Sequence, residues 1–173
     1  MVKVEVKIFV GSVISPAIGG WITLPMEKEA LETKIKELKI GEYIISDYQT
    51  ELPVEIGEYQ SPYQVNEFLQ LLLAYEQEGK LKLFLSAYQL RDEDVEGTIR
   101  FLAKGNYRYF ENVEDTESLG ESVARSGELG VLFMNEKVLE YLDFEKIGND
   151  YECNGCRIYP QLKTAIMETR PQA

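Results

Sequence analysis

Two stretches of the chain hold the side chains with reactive or ligating potential. One is Cys153-Asn154-Gly155-Cys156; the other is a dense set of carboxylates between residues 107 and 152. A C-x-x-C pair can supply half of a zinc site or cycle as a dithiol. The chain has two cysteines and no histidine, so a zinc site would need a second subunit to complete four thiolates. The other reading of these residues is a tight Asn-Gly turn between two short strands that carries two thiols. Without histidine, Ser-His, Cys-His and His-ligated metal chemistry is closed to the chain, and acid–base work falls to carboxylates, Lys, Tyr or Cys. The expectation is a protein with no metal, no cofactor and no enzymatic activity. A glycosidase-like carboxylate pair remains open in principle, because convergence on a cleft is a property of three dimensions and not of spacing.

The carboxylates say more about partners than about catalysis. Residues 107–152 carry twelve acids against Arg108, Arg125, Lys137 and Lys146, so 4 − 12 = −8 of the chain's net −12 lies there. A folded negative surface repels nucleic acid and attracts proteins that bind it. Glu136, Glu140 and Asp143 follow Asn135, a good helix N-cap, at i, i+4 and i+7. On one helix they would form a row with carboxylates about 4.5–6 Å apart along the axis. Like charges at i,i+4 destabilise a helix by about 0.2–0.5 kcal/mol per pair, which invites a functional reason for them. Duplex DNA carries a charge per ~1.7 Å of axis, so one helix cannot imitate it. Glu114, Glu117 and Glu121 on a preceding helix would have to contribute, with Glu145, Asp150 and the first region's Glu29, Glu32 and Asp47.

Three regions are expected to position these groups, giving an α+β chain of three small consecutive domains with an acidic surface. In residues 1–60, Val4, Val6, Ile8 and Val10 alternate with polar residues as in a half-buried strand. Trp21–Leu24 reads as a second strand stopped by Pro25, and Tyr43–Tyr48 as a third. Between them, Met26, Ala30, Leu31, Ile35 and Leu38 make a helical stripe ended by Gly41. Residues 61–106 read as a helical cluster, opening at Ser61-Pro62 and running in three segments to Gly79, Leu90 and Lys104. Residues 107–173 return to mixed structure. Tyr107–Glu111 is a strand, Ser118 and Glu121 form a capping box, and Val138, Leu139 and Leu142 line the helix after Asn135. Tyr151–Tyr159 reads as a hairpin about Asn154-Gly155, and a mildly basic tail follows Pro160. No apolar run approaches the ~20 residues needed to span a bilayer. The N-terminus alternates and lacks a signal-peptide core. A cytoplasmic protein is expected, with no membrane partner.

Gly19-Gly20-Trp21-Ile22-Thr23-Leu24-Pro25, Glu42-Tyr43-Ile44-Ile45-Ser46-Asp47-Tyr48 and Ile56-Gly57-Glu58-Tyr59 resemble the N-terminal region of the ArdA antirestriction family. Val65-Asn66-Glu67-Phe68-Leu69 is similar to the helix that opens the family's second region. Residues 134–145, from Met134-Asn135-Glu136 to Asp143-Phe144-Glu145, resemble the antirestriction motif around its Tyr-Phe-Asp-Tyr-Glu centre. Asn135 stands where the family usually has Pro, Gly148 where it tends to have Arg, and the cysteine pair is not a family hallmark. The resemblance implies an elongated, three-part DNA mimic carried on mobile genetic elements. Acting in the host bacterial cell, it would occupy the DNA groove of Type I restriction–modification enzymes without binding nucleic acid. It also implies a homodimer joined through the C-terminal region. An acidic adaptor for another basic DNA-binding host protein is the alternative on charge alone.

Overall fold

A computed structural model describes residues 2–170. Among the described residues the chain is mixed α+β, with seven α-helices and two three-stranded antiparallel sheets. Its contacts divide it into two units, Met1–Leu81 and Lys82–Ala173. That division falls inside the stretch 61–106 expected as a separate helical domain.

In the first unit β1 (Val6–Ser12) is the central strand, flanked by β2 (Gly19–Leu24) and β3 (Tyr43–Thr50) in the order β2-β1-β3. The alternation expected of β1 is present: Val6, Ile8 and Val10 are buried and Lys7 is exposed. The register of β1 on β3 shifts between Phe9 and Val10, so Phe9 pairs with Asp47 and Val10 with Ile45. Helix α1 (Lys28–Leu38) buries Leu31 and Ile35. It ends on Lys39 in the left-handed region, two residues before the expected Gly41. Helix α2 (Pro62–Gln77) starts as its sequence predicts, with Pro62 at N1 and a Ser61/Gln64 capping box. Buried Asn66 ties α2 to the β2–α1 connection, accepting from the Met26 amide at 2.9 Å and donating to the Met26 carbonyl at 2.8 Å. A buried amide satisfied at both ends fixes where α2 sits.

In the second unit the sheet order is β4-β6-β5, from β4 (Tyr107–Glu111), β5 (Arg157–Tyr159) and β6 (Thr164–Glu168). Helices α3 (Leu81–Leu90) and α4 (Val95–Lys104) cover one face, where Ala87, Phe101 and Ile166 meet. Helices α5 (Thr116–Ser126) and α7 (Phe144–Cys153) belong to the other face, with Phe110, Leu119, Val123, Cys156 and Ala165. Buried Ser86 of α3 and Thr164 of β6 share a hydroxyl–hydroxyl hydrogen bond of 2.6 Å. Between α5 and α7 lie a 3₁₀ turn (Val131–Met134) and the four-residue α6 (Glu136–Leu139).

Several expectations are corrected here. The capping box of α5 is Asp115/Ser118, not Ser118/Glu121: Ser118 is the third helical residue and bonds back to the Asp115 amide. The segment after Asn135 is not one long helix, because the chain leaves the helix after Leu139 and re-enters at Phe144 under an Asp143 cap. Asn154-Gly155 does not turn a hairpin. Helix α7 runs to Cys153 and Gly155, at φ 96, closes it before β5. The hairpin is β5/β6, so the tail after Pro160 contains the sheet's central strand. Helix α4 begins at Val95 instead of Arg91, since Asp92 and Glu93 both take positive φ.

Candidate partner-binding surface

Helix geometry places the first group of acids. The apolar stripe of α1 faces the sheet, which leaves Glu29 and Glu32 exposed. Glu32 accepts from Lys36 Nζ at 2.7 Å, and this bond holds its carboxyl below the usual range. The Glu29 carbonyl accepts the Thr33 hydroxyl at 2.9 Å. Asp47 is exposed on β3 beside the register shift, its Oδ1 bonded to the Tyr48 amide at 2.8 Å.

The second unit holds the other eight candidates on four successive segments. Glu114 precedes α5 and pairs with Lys163 at 2.6 Å. Glu117 is in the first turn of α5 and Glu145 in the first turn of α7. Each carboxylate there is favoured by unpaired backbone N–H groups at a helix start. Glu121 and Glu136 both bind Arg125, each at 2.8 Å. Glu140 is the C-cap of α6 and Asp143 the N-cap of α7, where its side chain accepts from the Lys146 amide at 3.0 Å. Asp150 lies on the exposed side of α7.

The predicted single row of Glu136, Glu140 and Asp143 therefore does not exist. Asp143 belongs to the next element, and Glu136 is bonded to a cation from α5. Glu136 and Glu140 remain one turn apart, with the Glu140 amide donating to the Glu136 carbonyl at 3.3 Å. The like-charge cost is therefore confined to that pair and is offset by Arg125 on Glu136. What the fold brings together instead is Glu121, Arg125 and Glu136. The Glu121/Arg125 half of that contact was legible as an i,i+4 pair; the Glu136 half requires the chain reversal between α5 and α6.

The crossing of α5 and α7 is set by glycine. Gly120 lies against the Phe144 backbone, and a Cβ added there would fall 2.6 Å from the Phe144 carbonyl carbon. Gly148, where the resemblance suggests Arg, is buried against the Thr116 carbonyl. Asn135, where it suggests Pro, caps α6 by accepting from the Lys137 amide at 3.0 Å.

The cysteines do not form a ligand cluster with other groups. Cys153 is exposed and Cys156 buried, and burial pushes the Cys156 thiol up to about 11. Among the described residues no group of three or more His, Cys, Asp or Glu is placed to hold a metal ion, and no helix is long and apolar enough to cross a membrane. One surface feature went unread in the sequence. Val131, Leu132, Met134 and Tyr141 are exposed apolar side chains beside α6, with Leu132 73% and Tyr141 87% accessible. Their apolar type gave no signal, because apolar residues near a helix are ordinarily read as core.

The family model described as antirestriction protein (ArdA) matches residues 16–159. No curated protein matches the chain.

Proposed function

From the premise that the chain belongs to the antirestriction protein (ArdA) family, we propose that it inhibits Type I restriction–modification enzymes by standing in for their DNA. Membership implies an antirestriction role, carried out by an inhibitor and not by an enzyme. The observation that carries the finer reading is the span of the match, residues 16–159, which contains all eleven candidate acids, Glu29 through Asp150.

The physical route is the one DNA itself uses. A groove lined with Lys and Arg gains affinity for DNA largely through release of small ions. Carboxylates held on folded elements release anions from the same groove, with little ordering left to do on binding. Exposed acids on α1, α5, α6, α7 and β3 meet that requirement, each on a hydrogen-bonded element. The protein binds the enzyme and not nucleic acid, acts in the cytoplasm of the host bacterial cell, and works as a homodimer. In support of the dimer, Val131, Leu132, Met134 and Tyr141 are exposed next to α6 in the C-terminal region. Apolar groups clustered on a polar surface mark association sites.

The test is plating of unmodified phage on cells carrying a Type I system, with and without this protein. Restored plating supports the reading. Failure against several Type I systems, with folded protein present, moves the reading to an acidic adaptor for another DNA-binding host protein.

A further inference from the structure

We propose that Arg125 is a positioning residue of the inhibitory surface, holding Glu121 of α5 and Glu136 of α6 at a fixed spacing for a basic partner. The inference rests on the proposed function and assigns one residue's part in it. Arg125 Nε donates to Glu121 Oε1 and Arg125 Nη1 donates to Glu136 Oε1, both at 2.8 Å. Both bonds use a single oxygen of each carboxylate. The second oxygen of each, on side chains that are 45% and 76% exposed, stays available to a partner's Lys or Arg.

The two elements differ in how well they hold themselves. Helix α5 has eleven residues, an Asp115/Ser118 cap and three buried side chains, Leu119, Val123 and Ala124. Helix α6 has four residues, fewer than an isolated helix needs to persist. It is held by the Asn135 cap, by buried Leu139 and by the tie from Arg125. Two carboxylates from separate elements repel each other. A planar guanidinium between them removes that repulsion and sets their geometry through a rigid fork, which an ammonium cannot do.

A cation in an inhibitory acidic surface is otherwise paradoxical. If net charge alone governed binding to a basic groove, removing Arg125 would make the protein more negative and a stronger inhibitor. Positioning predicts the opposite sign. Exposed ion pairs add little to folding stability, so the effect belongs in inhibition and not in melting.

The experiment measures inhibition of DNA cleavage by a purified Type I enzyme. It compares the wild-type protein, Arg125→Gln, Arg125→Lys, Glu136→Gln and the Arg125→Gln/Glu136→Gln pair, each checked by thermal melting. Arg125→Gln should weaken inhibition by at least about threefold despite its added negative charge, and by a smaller factor in the Glu136→Gln background. Arg125→Lys, which keeps the charge and loses the fork, should also weaken it. Arg125→Gln inhibiting as well as or better than wild type overturns the proposal. So does an equal loss with and without Glu136. A wild-type protein that inhibits no Type I enzyme overturns both the positioning role and the function it rests on.

Discussion

Gly148 of α7 packs directly on Thr116 of α5, so that a Cβ placed on it would lie 2.8 Å from the Thr116 carbonyl carbon. The reciprocal contact, Gly120 against Phe144, makes the crossing close from both sides. The clash is with backbone, which cannot rotate away. Gly148→Ala and Gly120→Ala should each destabilise the second unit by about 1–3 kcal/mol, the usual range for overpacking. Urea unfolding monitored by circular dichroism measures it, and an unchanged midpoint would refute the close crossing.

Asp143 carries two duties, a negative charge and the N-cap of α7. The two separate cleanly by substitution. Asp143→Asn keeps a capping acceptor and should leave the melting midpoint unchanged, whereas Asp143→Ala should lose about 1 kcal/mol. If both variants melt alike, the cap contributes nothing.

Of the eight candidate acids in the second unit, five have no ion-pair partner among the described residues: Glu117, Glu140, Asp143, Glu145 and Asp150. Neutralising any one, to Gln or Asn, should weaken inhibition by about threefold or less, while all five together should multiply to a loss of about two hundredfold if the sites act independently. Inhibition should also weaken as salt rises. One neutral substitution that alone abolishes inhibition in a folded protein would point to a localised site.

The two thiols should react differently. Cys153 is exposed, and Cys156 is buried with its thiol pushed up to about 11. Since the thiolate is the nucleophile, iodoacetamide near neutral pH should add once, at Cys153, to the native protein and twice after denaturation. Mass spectrometry of the peptides distinguishes these outcomes; native labelling of Cys156 would show that the core between the sheet and α5 opens.

Backbone and side-chain hydrogen bonds with Ser118 hold the Asp115 carboxyl below its ordinary value of 3.8. A carboxyl depressed in the folded state gives stability that is present above the unfolded pKa and lost as pH falls through the folded one. Its share of acid destabilisation therefore lies below about pH 4. Glu5 and Glu32 are lowered by their lysine partners and add in the same direction. Asp115→Asn, which still accepts from the Ser118 amide, should reduce the drop in melting temperature on acidification. A drop as large as that of the parent protein would remove Asp115 from the account.

Local chemistry made part of the architecture readable. Ser61-Pro62 announced α2, and the alternation of Val6, Ile8 and Val10 announced β1. The failures share one cause, residues whose local meaning is double. Asp143 extends an acidic helical row or caps the next helix, and only packing decides. Asn154-Gly155 turns hairpins and also ends helices, as here at Gly155. Strand β6 has Thr164–Met167 buried without alternation, because helices cover both faces of its sheet, so no period-two pattern marked it. Exposure of the acids was legible from side-chain type. Their pairing was legible only within a helix, as for Glu121 with Arg125; Glu114 with Lys163 and Glu136 with Arg125 are contacts made by the fold.

The hydrogen bond between Ser86 and Thr164 decides something that apolar packing leaves open. Phe84, Leu85, Ala87 and Tyr88 are all buried around Ser86, so α3 presents grease on nearly every side and could rotate about its axis with little change in covered area. Its hydroxyl also reaches the Lys82 carbonyl at 2.7 Å, which makes Thr164 the donor in the shared bond when Ser86 donates backwards. Any other rotation carries the Ser86–Lys82 bond with it but leaves the dry Thr164 hydroxyl without its acceptor. A single polar contact thus acts as the key that gives a greasy cylinder one orientation, and α3 owes its unique seat to the least hydrophobic pair in its vicinity.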